Sequence, residues 1–141
     1  MSRLILADST WFFETFSSLS IKEDWFFDKQ KVYTERKDKI LFIEDLDEYL
    51  YHIDRMMMNL RRNGCIENLK GILVGGMTKM KDNEIPWGKN ALEIVQDVTK
   101  KLNIPMIFNF PAGHIRDNRA LVLGNNVTID VTENCSTVVF E

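Results

Sequence analysis

Three stretches of strand length are apolar or nearly so: Ile40 to Ile43, Gly71 to Gly76, and Met106 to Phe110, the last broken only by Asn109. Continuous apolar runs of this length, with no alternation, are the pattern of strands covered on both faces. Between them lie two stretches of helical period. Tyr49 to Asn63 places Leu50, Ile53, Met57 and Leu60 on one side, and Asn63-Gly64 supplies a stop signal. Asn90 to Leu102 does the same with Ala91, Ile94, Val95, Val98 and Leu102, ending at Asn103 and Pro105. After the third run come Leu121 to Leu123, Val127 to Val131 and Thr137 to Phe140, separated by Gly124-Asn125-Asn126 and Glu133-Asn134. They read as a small antiparallel meander. The expected class is therefore α/β: a small central sheet with flanking helices and a C-terminal β meander.

Residues 1–38 follow a different pattern. Trp11, Phe12, Phe13, Phe16 and Leu19 fall at near-helical spacing after Ser9 and Thr10, and Trp25-Phe26-Phe27 sits in a charged surround. This aromatic, helical N-terminal segment is set apart from a domain spanning residues 39–141. Its rings carry more apolar surface than a charged segment can shield. Either they pack on the following domain, or they face another domain or a second copy of the chain as a homodimer.

The length of 141 residues suits one domain with a modest core. A net charge of −3 gives no reason to expect a nucleic-acid or anionic-membrane partner. No apolar run approaches the roughly 20 residues that span a bilayer, and Met1 to Asp8 makes a poor secretory signal. Cys65 and Cys135 are far apart, so reduced thiols in a cytoplasmic protein are expected, with no metal and no cofactor. The three methionines Met56 to Met58 read as adaptable packing. The Gly75-Gly76 pair raises a small-ligand or phosphate-loop reading, but no GxGxxG or Walker pattern follows.

Candidate chemistry gathers where strands end. Ile40–Ile43 runs directly into Glu44-Asp45-Leu46-Asp47-Glu48, and carboxylates at the carboxyl end of a parallel strand sit where open α/β sheets keep their sites. Asp47 and Glu48 are expected to cap the next helix. Glu44 precedes the helical turn and is not explained that way. The third strand leads into Phe110-Pro111-Ala112-Gly113-His114-Ile115-Arg116-Asp117-Asn118. A His just after Gly in a strand-end loop is free to present its ring. His52, the other histidine, falls within the first helix among surface polar residues.

Taken together, Ile40-Leu41-Phe42-Ile43-Glu44-Asp45 with Asp54-Arg55-Met56, Gly71-Ile72-Leu73-Val74-Gly75-Gly76, and Phe110-Pro111-Ala112-Gly113-His114 with Asn118 and Leu121-Val122-Leu123-Gly124 resemble the C-terminal domain of the LD-carboxypeptidases. These are the muramoyl-tetrapeptide carboxypeptidases and the related microcin C self-immunity peptidases. The resemblance covers residues 39–131. It implies a Ser–His–Glu triad divided between two domains, with Glu44 and His114 as its glutamate and histidine, and a murein peptide as substrate of the complete enzyme. A serine hydroxyl needs an imidazole to take its proton, and the imidazole needs a carboxylate to fix its tautomer. The resemblance also implies a serine on a strand-to-helix turn of an N-terminal domain. Ser2, Ser9, Ser17, Ser18, Ser20 and Ser136 do not follow a strong strand with the glycines such a turn needs. The expectation is a chain that lacks the serine domain and is inactive alone. A non-catalytic interaction or regulatory domain of the same fold is the competing reading.

Overall fold

A computed structural model describes the backbone of residues 2–7 and the whole of residues 38–141. Six strands form one sheet: β1 (Ser2–Ala7), β2 (Lys39–Leu46), β3 (Gly71–Thr78), β4 (Met106–Ile107), β5 (Asn126–Val131) and β6 (Ser136–Phe140). Their order across the sheet is β4-β3-β2-β1-β5-β6. The first four are parallel, and β5 joins β1 antiparallel and is followed by antiparallel β6. Helix α1 (Leu50–Arg62) connects β2 to β3, and α2 (Ala91–Thr99) lies between β3 and β4. The class is α/β, as the apolar runs predict.

Strand alternation divides the core into two layers. Leu41, Ile43, Ile72 and Val74 point to the side that carries both helices, where they meet Ile53, Met57, Ile94 and Val95. Ile40, Phe42 and Leu73 point to the other side and pack with Ala112 and Val127. Burial on both faces is why these strands show no polar alternation. The two helices share one face because β2, β3 and β4 are laid down in order across the sheet, and crossovers between parallel strands keep one hand. Asn90 fixes the start of α2 through a capping box: its Oδ1 accepts from the Glu93 amide at 3.0 Å, and Glu93 Oε2 accepts from the Asn90 amide at 2.8 Å.

The helix layer is the larger cluster and sets stability. Ile94 is 1% exposed between α1 and the sheet. Ile94→Ala is expected to cost about 2–5 kcal/mol, the range for emptying a buried aliphatic site. A denaturant midpoint shift with unchanged slope would show it, and a loss under 1 kcal/mol would contradict this packing.

Several local features differ from the sequence pattern. β1 falls within residues 1–38, the stretch set apart by its aromatic and charged content, yet it pairs on both sides, Leu4 with Ile40 and Ser2 with Val127. A short terminal run declares itself a strand only through such pairing. β4 is just two residues, not five, because Asn109 takes a left-handed φ of 55° and turns the chain out of the sheet. Leu121–Leu123 is not a strand, so the antiparallel tail is the pair β5 and β6. The aromatic segment from Trp11 to Phe27 lies outside the described residues. Among the described residues, no helix is long and apolar enough to cross a membrane.

Candidate active site

The carboxyl ends of β2 and β3 are tied together beyond the sheet. The chain leaves β2 through Asp47 (φ 65°) and β3 through Lys79 (φ 54°). The Asp47 amide donates to the Thr78 carbonyl at 2.9 Å, the Lys81 amide to the Glu48 carbonyl at 2.8 Å, and the Leu50 amide to the Lys81 carbonyl at 2.9 Å. Lys81 Nζ lies 2.7 Å from Asp47 Oδ2, and its hydrogen bond to that carboxylate raises the lysine pKa. Asp47 and Glu48 therefore do not cap α1 as expected. The N-cap is Tyr49, with no side-chain cap bond. Asp47 braces the neighbouring loop, and Glu48 Oε1 instead bonds His52 Nδ1 at 2.7 Å and the Tyr49 amide at 2.7 Å.

Glu44 comes before these braces, on the second face of the sheet with Phe42. A register shift between Ile43 and Asp45 marks the point where β2 departs from regular pairing. Its side chain is 10% exposed. The partner comes from β4, two strands away, so the loop after β4 must cross the end of β3. It does so held by backbone bonds: the Phe110 amide donates to the Val74 carbonyl at 2.9 Å, and the Gly76 amide to the Ala112 carbonyl at 3.0 Å. Gly113, at φ 98°, then turns the chain towards Glu44. Asn118 closes the loop by accepting the Gly113 amide on Oδ1 at 3.0 Å.

The result is a close pair across 70 residues of sequence. Glu44 Oε2 accepts from His114 Nδ1 at 2.7 Å and from the His114 backbone amide at 3.3 Å. The carboxylate can only accept, so Nδ1 carries the proton of the neutral ring and Nε2 is the basic nitrogen. The His114 side chain is 56% exposed and Glu44 is buried, so the carboxylate anchors a ring that opens to the surface. The structure thus brings together the two residues that the sequence singles out. It also adds Asn118 and the bare backbone of Gly75 and Gly76 to the scaffold. The Asn five residues after Gly113 is the one sequence signal for this clasp. Of the serines, Ser2 and Ser136 are among the described residues. Both lie towards the opposite end of the sheet, since β1 begins at Ser2 and Ser136 pairs with Val131, beyond that end of β1. Among the described residues, no cluster of three or more His, Cys, Asp or Glu side chains is disposed to hold a metal ion.

The chain belongs to the LD-carboxypeptidase family: the signature of the LD-carboxypeptidase C-terminal domain matches residues 15–129. It is 26% identical over 104 residues to a probable murein peptide carboxypeptidase of Bacillus subtilis, covering 74% of this chain and 33% of that protein. It is 33% identical over 94 residues to a putative carboxypeptidase of Synechocystis, covering 64% of this chain and 30% of that protein. The chain therefore spans about a third of the length of the curated relatives it matches. The fold is that of the muramoyltetrapeptide carboxypeptidase from Oxalobacter formigenes (TM-score 0.70, 18% identity, 99% of this chain and 44% of that one). It is equally that of the microcin C7 self-immunity protein MccF (TM-score 0.73, 21% identity, 99% of this chain and 38% of that one).

Proposed function

We propose that this chain supplies the glutamate and histidine of a serine-type LD-carboxypeptidase, and that the nucleophilic serine comes from a separate domain. The observation that carries the reading is the 2.7 Å contact between Glu44 Oε2 and His114 Nδ1 at the carboxyl end of parallel strands. In this mechanism His114 Nε2 takes the proton of the serine hydroxyl as its oxygen attacks the carbonyl of an L,D-peptide bond. Glu44 stabilises the imidazolium and keeps the ring oriented. The imidazolium then gives its proton to the nitrogen of the departing D-amino acid, and water, activated by the same ring, releases the acyl group from the serine.

The substrate class is the murein tetrapeptide, handled in the cytoplasm. The names of the relatives, murein peptide carboxypeptidase and muramoyltetrapeptide carboxypeptidase, support that choice. The openness of the His114 ring supports a nucleophile from elsewhere, and the two serines among the described residues, Ser2 and Ser136, lie towards the other end of the sheet. Leu46, Tyr49 and Ile85 are exposed apolar or aromatic residues at the same end of the sheet, with Ile85 85% exposed. They give a covering domain a surface to bury.

The test is D-alanine release from a murein tetrapeptide. The purified chain alone is expected to release none. Turnover is expected when the amino-terminal part of the Bacillus subtilis relative is supplied with it, and is expected to vanish with His114→Ala. Turnover by the chain alone that survives His114→Ala would defeat the reading. So would a stable, folded complex of the two parts that hydrolyses nothing.

A further inference from the structure

We infer that Gly75 and Gly76 are positioning residues for His114: their bare backbone is the surface on which residues 112–115 cross β3 to reach Glu44. The inference rests on the proposed role of His114 and gives the glycine pair a purpose other than phosphate binding. Neither glycine has a positive φ, so the backbone itself would accept another residue. Space is what forbids it. A Cβ at Gly75 would stand 2.5 Å from the Ala112 carbonyl oxygen and 2.8 Å from Phe42 Cε2. A Cβ at Gly76 would collide with Ile115 Cγ2.

The two positions differ in what must give way. At Gly75 the obstacle includes backbone, and Ala112 is itself 2% exposed in the second core layer. Ala112 is only two residues before His114, and its carbonyl is held by the Gly76 amide at 3.0 Å. Lifting Ala112 therefore lifts the imidazole from Glu44. At Gly76 the obstacles are side chains: Ile115 Cγ2 is the severe clash, and Thr78 Oγ1 at 3.3 Å needs to yield only slightly, so removing Cγ2 should clear the site. Close packing passes small displacements along such a segment without absorbing them.

The test uses the full chain and reads the His114 ring nitrogens by long-range 1H–15N correlation. A ring held by Glu44 shows the Nδ1–H tautomer, and a released ring averages with Nε2–H. Wild-type protein is expected to show the Nδ1–H signature and slow hydrogen exchange at the Gly76 amide. Gly75→Ala is expected to lose the signature while the protein stays folded by circular dichroism. Gly76→Ala is expected to lose it too, and the double variant Gly76→Ala/Ile115→Ala to regain it. A folded Gly75→Ala chain with the wild-type tautomer overturns the inference. So does a wild-type Gly76 amide that exchanges as fast as an exposed loop amide. If Gly75→Ala does not fold, the Gly76 variants decide: recovery with Ile115→Ala supports the inference and its absence overturns it. None of these readouts needs turnover. A chain that holds His114 in this way yet hydrolyses nothing in a stable complex with the serine-bearing part would defeat the proposed function and leave the inference standing.

Discussion

His114→Ala is expected to lower D-amino-acid release by about 10⁶-fold in the assembled enzyme, and Glu44→Ala by about 10⁴-fold, the sizes seen when triad bases and their orienting carboxylates are removed. The order follows from the geometry. His114 exchanges the proton with the substrate, whereas Glu44 meets the ring on its far side, through Nδ1 at 2.7 Å, and holds the backbone amide of the same residue. Without the carboxylate the imidazole still accepts a proton, but with its tautomer and direction unfixed. Because Glu44 acts through His114, the double variant should be no slower than His114→Ala alone. Single-turnover rates of the three variants would check this. A double variant slower than His114→Ala by a further factor near 10⁴ would mean that Glu44 acts on its own, and the triad assignment would fail.

The parts of the fold legible in the sequence are those fixed by burial alone. Ile40–Ile43 and Ile72–Val74 are apolar at every position because neighbours cover both faces, and the heptad-like spacing of Leu50, Ile53, Met57 and Leu60 matches the buried side of α1. Glu44 was legible as an anomaly, a carboxylate directly after a buried strand and too early to cap a helix. Its partnership with His114 is not legible in any local pattern, since it depends on a loop crossing β3 from β4 to β2. That link came from the resemblance to the LD-carboxypeptidases. β1 is not legible, because so short an apolar run has no period to read. The purpose of Gly75 and Gly76 is not legible either, because a glycine pair announces only missing side chains, and what lies over them is set by the tertiary path of residues 112–115. The expected use of Asp47 and Glu48 as helix caps loses to other partners: Lys81 on the neighbouring loop for Asp47, and the His52 ring in the first turn of α1 for Glu48.

Gly113→Ala is expected to cost about 1–3 kcal/mol of stability from the left-handed backbone it must adopt, and in addition about 10²-fold in turnover from displacement of the reacting groups. The first cost comes from φ 98°, a conformation that L residues rarely take. The second is specific to this site. A Cβ there would stand 2.7 Å from Glu44 Oε2, 2.9 Å from Glu44 Cβ and 3.0 Å from Glu44 Cγ, so the carboxylate or the His114 loop must move. Gly124 provides the control, because its φ is 81° and a Cβ would meet nothing within 4 Å. Gly124→Ala should therefore show a comparable loss of stability with turnover unchanged. Thermal unfolding of both variants, set beside tetrapeptide hydrolysis in the assembled enzyme, separates the two costs. If Gly113→Ala hydrolyses substrate as fast as Gly124→Ala, the contact between Glu44 and the His114 loop is not what the reaction depends on.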